Sequence, residues 1–215
     1  MVYREEFKVK SNDRVCTFHD VTAQTREIAA RSGIKNGIVV VYSHHTTCSV
    51  ITQECAFDMS MTGLETLQQD LVDVFENIVP TCRKEGMYLH PGPKALKFAE
   101  EHGEDARGCH NTDAHLRSSI IGRNVTIVMI DGKLDLGDFG FIHFIDFDQT
   151  RARERTAIGR LTAALAAMSL HCGVVCARCI AVIRRRCSCF VPSIAQQTSV
   201  GLPPSLSIPM RGVKV

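Results

Sequence analysis

Three histidines from separate parts of the chain, His45, His90 and His115, are the residues best suited to chemistry. An imidazole can ligate a metal or carry a proton, and three of them around an open position are a common way to hold a catalytic zinc. His45 stands in a dense polar run, Ser43-His44-His45-Thr46-Thr47, with Glu54 nine residues on. His115 follows Asn111-Thr112-Asp113-Ala114 and precedes Leu116-Arg117. On a metal reading, zinc or another divalent ion sits on the three imidazoles, and Glu54 or Asp113 acts as general base or orients a ligand. On a metal-free reading, His45, His115, Thr46, Thr47, Asn111, Thr112 and Arg117 gather at the first turn of a helix beginning near Thr112 and cradle a phosphate. The two are compatible, because phosphate esters are frequent substrates of metal sites. Plainer roles compete with both: Asp113 can simply complement the helix dipole, and His90 before Pro91-Gly92 can be a surface residue.

The elements that must position these groups are legible from periodicity. Residues 37–41 form an apolar, β-branched run that reads as a buried strand ending in the His/Thr cluster, and a second apolar run from Cys48 to Ile51 leads to Gln53 and Glu54. Short strands are expected at 3–9 and 15–18, then a helix opening at Asp20 or Thr22 and stopping at Gly33, with Val21, Ile28 and Ala29 inward. Leu64, Leu67, Leu71, Val74, Phe75 and Ile78 recur at helical spacing, which predicts one long amphipathic helix over 57–79, ended by Pro80. Residues 81–110 read as loop with a short helix over 95–101. A helix capped by Asn111 or Thr112 closes at Gly122, and 124–136 around Asp131-Gly132 is a strong hairpin signal. Residues 141–147 are then expected to be the last strand of the body.

Composition bounds the function class. The chain has 215 residues, 45% hydrophobic, enough for one full core. Its net charge of +2 hides a split: residues 1–150 carry 15 Lys/Arg against 22 Asp/Glu, and residues 151–215 carry 10 against 1. A domain boundary is therefore expected at residue 150, and a chain ending near Arg155 is expected to fold. Ten cysteines suggest a disulfide scaffold, yet the N-terminus has no apolar leader, so reduced thiols and a cytoplasmic location are expected. No GxGxxG, Walker A, HExxH or EF-hand loop occurs, and Asp138-Phe139-Gly140 without its companion motifs is a coincidental match to a kinase metal loop. The basic, Cys-rich extension 151–215 includes an uncharged stretch over 161–177, Cys172, Cys176, Cys179, Cys187 and Cys189 at spacings that fit no standard zinc finger, and a Pro/Ser-rich end expected to be disordered. Arg178 argues against reading the apolar stretch as a membrane helix.

Taken together, His45-Thr46-Thr47 after a hydrophobic strand, Glu54, Tyr88-x-His90, residues 111–116 as Asn-Thr-Asp-Ala-His-Leu, and residues 131–137 as Asp-Gly-Lys-Leu-Asp-Leu-Gly resemble the YjbQ family, also called the secondary thiamine-phosphate synthase family. The resemblance covers residues 1–150. It departs at Gln53-Glu54, where the family has Asn-Glu, and at Gly137-Asp138-Phe139-Gly140, where it has Gly-Thr-Trp-Gln; this chain has no Trp. The resemblance implies a compact α+β domain with a largely antiparallel sheet packed by helices, commonly trimeric. It also implies a feeble activity joining a pyrimidine pyrophosphate to a thiazole phosphate. His45, Glu54 and Asp113 are then the candidate catalytic residues, with a small phosphorylated molecule as partner, and neither nucleic acid nor, for the body, membrane. The alternative is a non-catalytic oligomeric protein that binds a ligand or metal.

Overall fold

The computed structural model describes residues 1–12 and 14–163. The readings made for the cysteines, the Pro/Ser-rich end and the uncharged stretch beyond Ala163 lie outside these residues.

The architecture is α+β, with every strand pair antiparallel. The strands β1 (Val2–Lys10), β3 (Gly37–Ser43), β5 (Asn124–Ile130), β6 (Lys133–Leu134) and β8 (Glu154–Ala163) form one sheet in the order β1-β8-β3-β5-β6. A second sheet has the order β2-β7-β4, from β2 (Thr17–Asp20), β7 (Gly140–Asp146) and β4 (Cys48–Glu54). The helices are α1 (Thr22–Ser32), α2 (Thr66–Ile78), α3 (Pro93–Glu101) and α4 (Thr112–Ile121).

Strand β7 explains how the layers fit. Its residues alternate between two buried faces, as the period of two requires. Ile142 and Phe144 join a core with Val39, Val41, Ile127, Met129 and Leu161 of the larger sheet and Ile28 of α1. Ile145, with Phe147 just beyond, joins a second core with Ala114 and Ile121 of α4 and Leu71 and Val72 of α2. Buried on both sides, β7 reads as the near-continuous apolar run Phe-Ile-His-Phe-Ile.

Two expectations need correction. The boundary at residue 150 cuts the sheet: β8 lies beyond it and is hydrogen-bonded between β1 and β3, pairing Val9 with Arg155 and Val41 with Gly159. The charge break misleads because Arg155 and Arg160 belong to a strand whose Ala157, Ile158 and Leu161 are buried, and Arg155 is buried with them. The predicted helix over 57–79 begins only at Thr66. Gly63 at φ +84 and the Met59–Glu65 bridge break the periodicity first, and a capping box between Glu65 and Gln68 sets the true start. The other elements fall close to the expected positions. Gly33 ends α1 in the left-handed region at φ +68, and Asp131 and Gly132 both take positive φ in the β5–β6 turn.

Among the described residues, no helix is long and apolar enough to cross a membrane.

Candidate functional site

The site lies where the chain changes sheet. Residues 44–47 carry it from β3 in the larger sheet to β4 in the smaller, and residues 147–153 carry it back from β7 to β8. The two crossings lie side by side, since the Phe147 N–H donates to the Thr47 carbonyl at 3.1 Å. Neither crossing can continue a ladder, so polar side chains take up their backbone groups. The first crossing in turn serves β8: the N–H of Thr156 donates to His45 Nε2 at 3.0 Å, just beyond the last β3–β8 pair, Ser43 with Ala157.

A cavity of about 360 Å³ opens against these crossings. His44, His45, Thr46 and Thr47 line it from the first crossing, and Arg151, Arg153 and Arg155 from the second and the start of β8. The rest of the wall is His90 and Ala95, then Glu104, Gly108 and Cys109, then Asn111 and His115 at the start of α4. The three histidines singled out from sequence therefore share one pocket.

Beneath it lies a buried ionic network. Arg155, 3% exposed, donates through Nε to Asp146 Oδ2 at 2.5 Å and through Nη2 to Asp146 Oδ1 at 3.2 Å, and also to Thr47 Oγ1 at 3.1 Å. Asp148 accepts from Asn111 Nδ2 at 3.1 Å and from the Thr150 hydroxyl at 2.6 Å, with Arg153 and Arg155 each 3.5 Å away. Burying ions costs several kcal/mol each, roughly, unless they are paired and hydrogen-bonded, and this network meets that condition for Asp146 and Arg155. Two buried donors above it have no hydrogen-bond acceptor: Arg151 Nε, and Arg153 Nη2, whose 3.5 Å contact with Asp148 is too long to serve as one. They belong to side chains that line the pocket.

Two of the imidazoles, His45 and His115, are held toward neutrality. Burial, then the charge of Arg155, holds His45 below the usual imidazole range, and burial, then His90, does the same for His115. Because His45 Nε2 accepts from Thr156, a neutral His45 carries its proton on Nδ1. The Thr112 hydroxyl donates to the His90 carbonyl at 2.7 Å, so its oxygen is left to accept from His90 Nδ1 at 2.9 Å. In the neutral ring this leaves the lone pair on His90 Nε2. The rings of His90 and His115 stand edge to face, with centroids 5.6 Å apart.

Residues expected around a metal or phosphate divide accordingly. The pocket gathers His45, Thr46, Thr47, His90, Asn111 and His115, whereas Thr112 acts behind His90. Glu54 is elsewhere: it is the far end of β4, in a different groove with Thr126 and Asp135. Six strand residues from Cys48, at a strand rise of about 3.4 Å, put it roughly 20 Å from the start of β4 beside Thr47. Arg117 is fully buried, tying α4 to the end of α2 through the Val79 carbonyl (2.8 and 3.1 Å) and Glu76 (2.9 Å). Asp113 is 4% exposed and lies outside the pocket lining; burial raises its pKa against N–H bonds from Cys82, its own backbone and Ala114. It occupies the helix N-terminus that the phosphate was expected to use. Sequence reasoning missed Arg151, Arg153 and Arg155; Arg-x-Arg-x-Arg has the period of a strand and would have been the signal, although β8 itself begins only at Glu154.

The set does not form a ready three-imidazole centre. Among the described residues, no group of three or more His, Cys, Asp or Glu side chains is disposed to hold a metal ion. His45 Nε2 is already bonded to backbone, and the arginines bring positive charge where a cation would sit.

A profile of YjbQ-like UPF0047 proteins matches residues 5–162, the span from early β1 to late β8. The UPF0047 protein MJ1081 of Methanocaldococcus jannaschii is 30% identical over 149 residues, covering 69% of this chain and 88% of that protein. YugU of Bacillus subtilis is 25% identical over 134 residues, 62% of this chain and 82% of its own length. A YjbQ/UPF0047-family crystal structure from Clostridium acetobutylicum superposes with a TM-score of 0.55 at 26% identity, covering 74% of this chain and 99% of that one. The Aeropyrum pernix protein APE1520 gives 0.54 at 27% identity, covering 74% and 98%. With the profile matched over residues 5–162 and a relative 30% identical over 149 residues, the chain belongs to the YjbQ-like UPF0047 family.

Proposed function

We propose that the pocket binds the phosphoryl group of a small phosphorylated molecule. The observation that carries this reading is two buried donors without a hydrogen-bond acceptor, Arg151 Nε and Arg153 Nη2, in a wall that holds three arginines; their carboxylate partners are Glu104, 2.9 Å from Arg151 Nη2, and Asp148, at the longer 3.5 Å from Arg153. Unmet buried donors cost about 1–3 kcal/mol each, more when charged, and an anion in the pocket relieves that cost. His45 Nδ1–H adds a neutral donor, and His90 Nε2 a base for a proton on the ligand.

On this reading the protein is a cytoplasmic transferase with low-level thiamine-phosphate synthase type activity, in which the guanidiniums hold phosphoryl oxygens and His45, His90 and His115 are the polar groups nearest them. The five described cysteines are free thiols, which suits a reducing compartment. Assembly as a trimer, with this pocket near a subunit boundary, is part of the same proposal. Light scattering at micromolar concentration tests it, and a monomer would refute it.

The deciding experiment is calorimetry of the full chain with inorganic phosphate and a simple phosphate monoester, paired with an assay for thiamine phosphate formation. Arg153→Ala should weaken binding about tenfold or more, the scale of one lost charged hydrogen bond. Unchanged binding by Arg153→Ala would refute the reading. Binding without turnover would favour a ligand-storage protein over a transferase.

A metal-assisted variant has one specific support: His90 and His115 each have a backbone or hydroxyl partner, Thr112 and the Thr46 carbonyl respectively, of the kind that orients a ligating imidazole. Elemental analysis for zinc, with and without His115→Ala, separates it from the anion reading.

A further inference from the structure

We propose that the phosphoryl pocket is half of a two-anion site, and that the ligand carries two phosphoryl groups on a short linker. This rests on reading the first pocket as a phosphoryl site. A second cavity, about 440 Å³, adjoins the first, and the two share Gly108 and Arg151 as lining residues. Four basic side chains, Arg83, Lys84, Arg107 and Arg151, line it against two acidic ones, Glu85 and Asp105.

Three of the four basic groups have an acidic partner, which leaves Lys84 and, of opposite sign, Glu85 without an ion pair among the described residues. Arg107 pairs with Asp105 at 3.0 Å, and Arg83 with Glu76 at 2.9 Å. Lys84 has no ion pair or side-chain hydrogen bond within the described residues, and neither does the His110 side chain that joins it in the lining. Arg151 pairs with Glu104 at 2.9 Å through Nη2, but its Nε is buried and without an acceptor.

Gly108 is what allows one guanidinium to serve both cavities. A Cβ built there would meet Arg151 Cζ at 3.2 Å and Nη1 at 3.3 Å, so the buried backbone of residue 108 lies flat against the guanidinium. A planar guanidinium presents donors along two edges, which suits it to bridge two oxyanions where a lysine would serve one. Arg151 between two basic cavities therefore selects a bisphosphate over a monophosphate, and linkage of the two groups raises affinity by effective concentration.

The test is calorimetry of the full chain with a phosphate monoester and with the bisphosphate of the same short diol. The bisphosphate is expected to bind at least roughly tenfold more tightly, a conservative gain for a linked second contact. Lys84→Glu, at an exposed residue of the second cavity alone, should bring that ratio close to unity while leaving monoester affinity unchanged, and Lys84→Arg should restore it. Gly108→Ala should also lower the ratio by displacing Arg151. Monoester binding with no gain for the bisphosphate overturns the second subsite and leaves the first standing, as does a ratio that survives both Lys84→Glu and Gly108→Ala. Failure of the chain to bind either compound overturns the phosphoryl reading of the first pocket, and this inference with it.

Discussion

Arg155 and Asp146 form a two-point ion pair, Nε to Oδ2 at 2.5 Å and Nη2 to Oδ1 at 3.2 Å, with side chains 4% and 0% exposed. The pair joins the end of β7 to the start of β8, so it fastens the smaller sheet to the larger directly under the pocket. Removing Asp146 leaves Arg155 charged and buried, with only Thr47 at 3.1 Å and Asp148 at 3.5 Å. Asp146→Ala should therefore destabilise the fold by about 3–5 kcal/mol, read as a lower urea midpoint. A change below about 1 kcal/mol would mean that water or Asp148 replaces the lost partner.

A chain ending at Arg155 should fail to fold, whereas one ending at Met168 should keep a cooperative unfolding transition. Truncation at 155 removes nearly all of β8, leaving β1 without a partner strand in the described sheet and β3 with one free edge. The compact unit that holds the described fold spans Met1–Met168. Circular dichroism during thermal denaturation of both chains decides it.

Much of this was legible in the sequence. The strand before His45, the stop of α1 at Gly33, the Asp131-Gly132 turn and α4 all follow from short-range rules, which act through neighbours in the chain. Their closeness in sequence to the His/Thr cluster and to residues 111–115 is why half the pocket could be named. β8 was hidden because strand pairing is non-local, and because arginines at alternate positions look like a basic tail when the partner strand is unknown. Glu54 and Arg117 were misplaced for a related reason: residue type suggests a role, but only tertiary packing says which end of a strand or which face of a helix meets the cavity. A buried Arg117 bonded to the Val79 carbonyl has no signature that separates it from a phosphate ligand.

Stability should fall as the solution is acidified below about pH 6.5. Burial depresses the pKa of His19, His45, His115 and His143, in each case as the largest cause. Between the unfolded value and the lower folded one, the unfolded chain binds more protons, so the free energy of unfolding rises with pH across that window and levels off above it. Neither nitrogen of His143 has a hydrogen-bond partner. His143→Leu should flatten the slope, and urea midpoints at several pH values from 5 to 8 measure it. A midpoint that rises on acidification through this range would contradict the depressed values.

Thr112 should fix the tautomer of His90. Its hydroxyl has one proton, and the His90 carbonyl at 2.7 Å takes it, so the oxygen can only accept from Nδ1 at 2.9 Å. Neutral His90 then holds its proton on Nδ1 and offers Nε2 as a base 5.6 Å, centroid to centroid, from the ring of His115. Thr112→Val removes both bonds with little change in shape, which should cost about 1 kcal/mol of stability and release the imidazole to sample both tautomers. Thr112→Ser keeps the hydroxyl and should behave as the unchanged chain. Ring nitrogen chemical shifts of His90 above pH 7.5 distinguish the cases: a single Nδ1–H pattern with Thr or Ser at 112, and an averaged pattern with Val. An averaged pattern in the unchanged chain would show that Thr112 does not set the proton, and would remove His90 Nε2 from the role of a preset base.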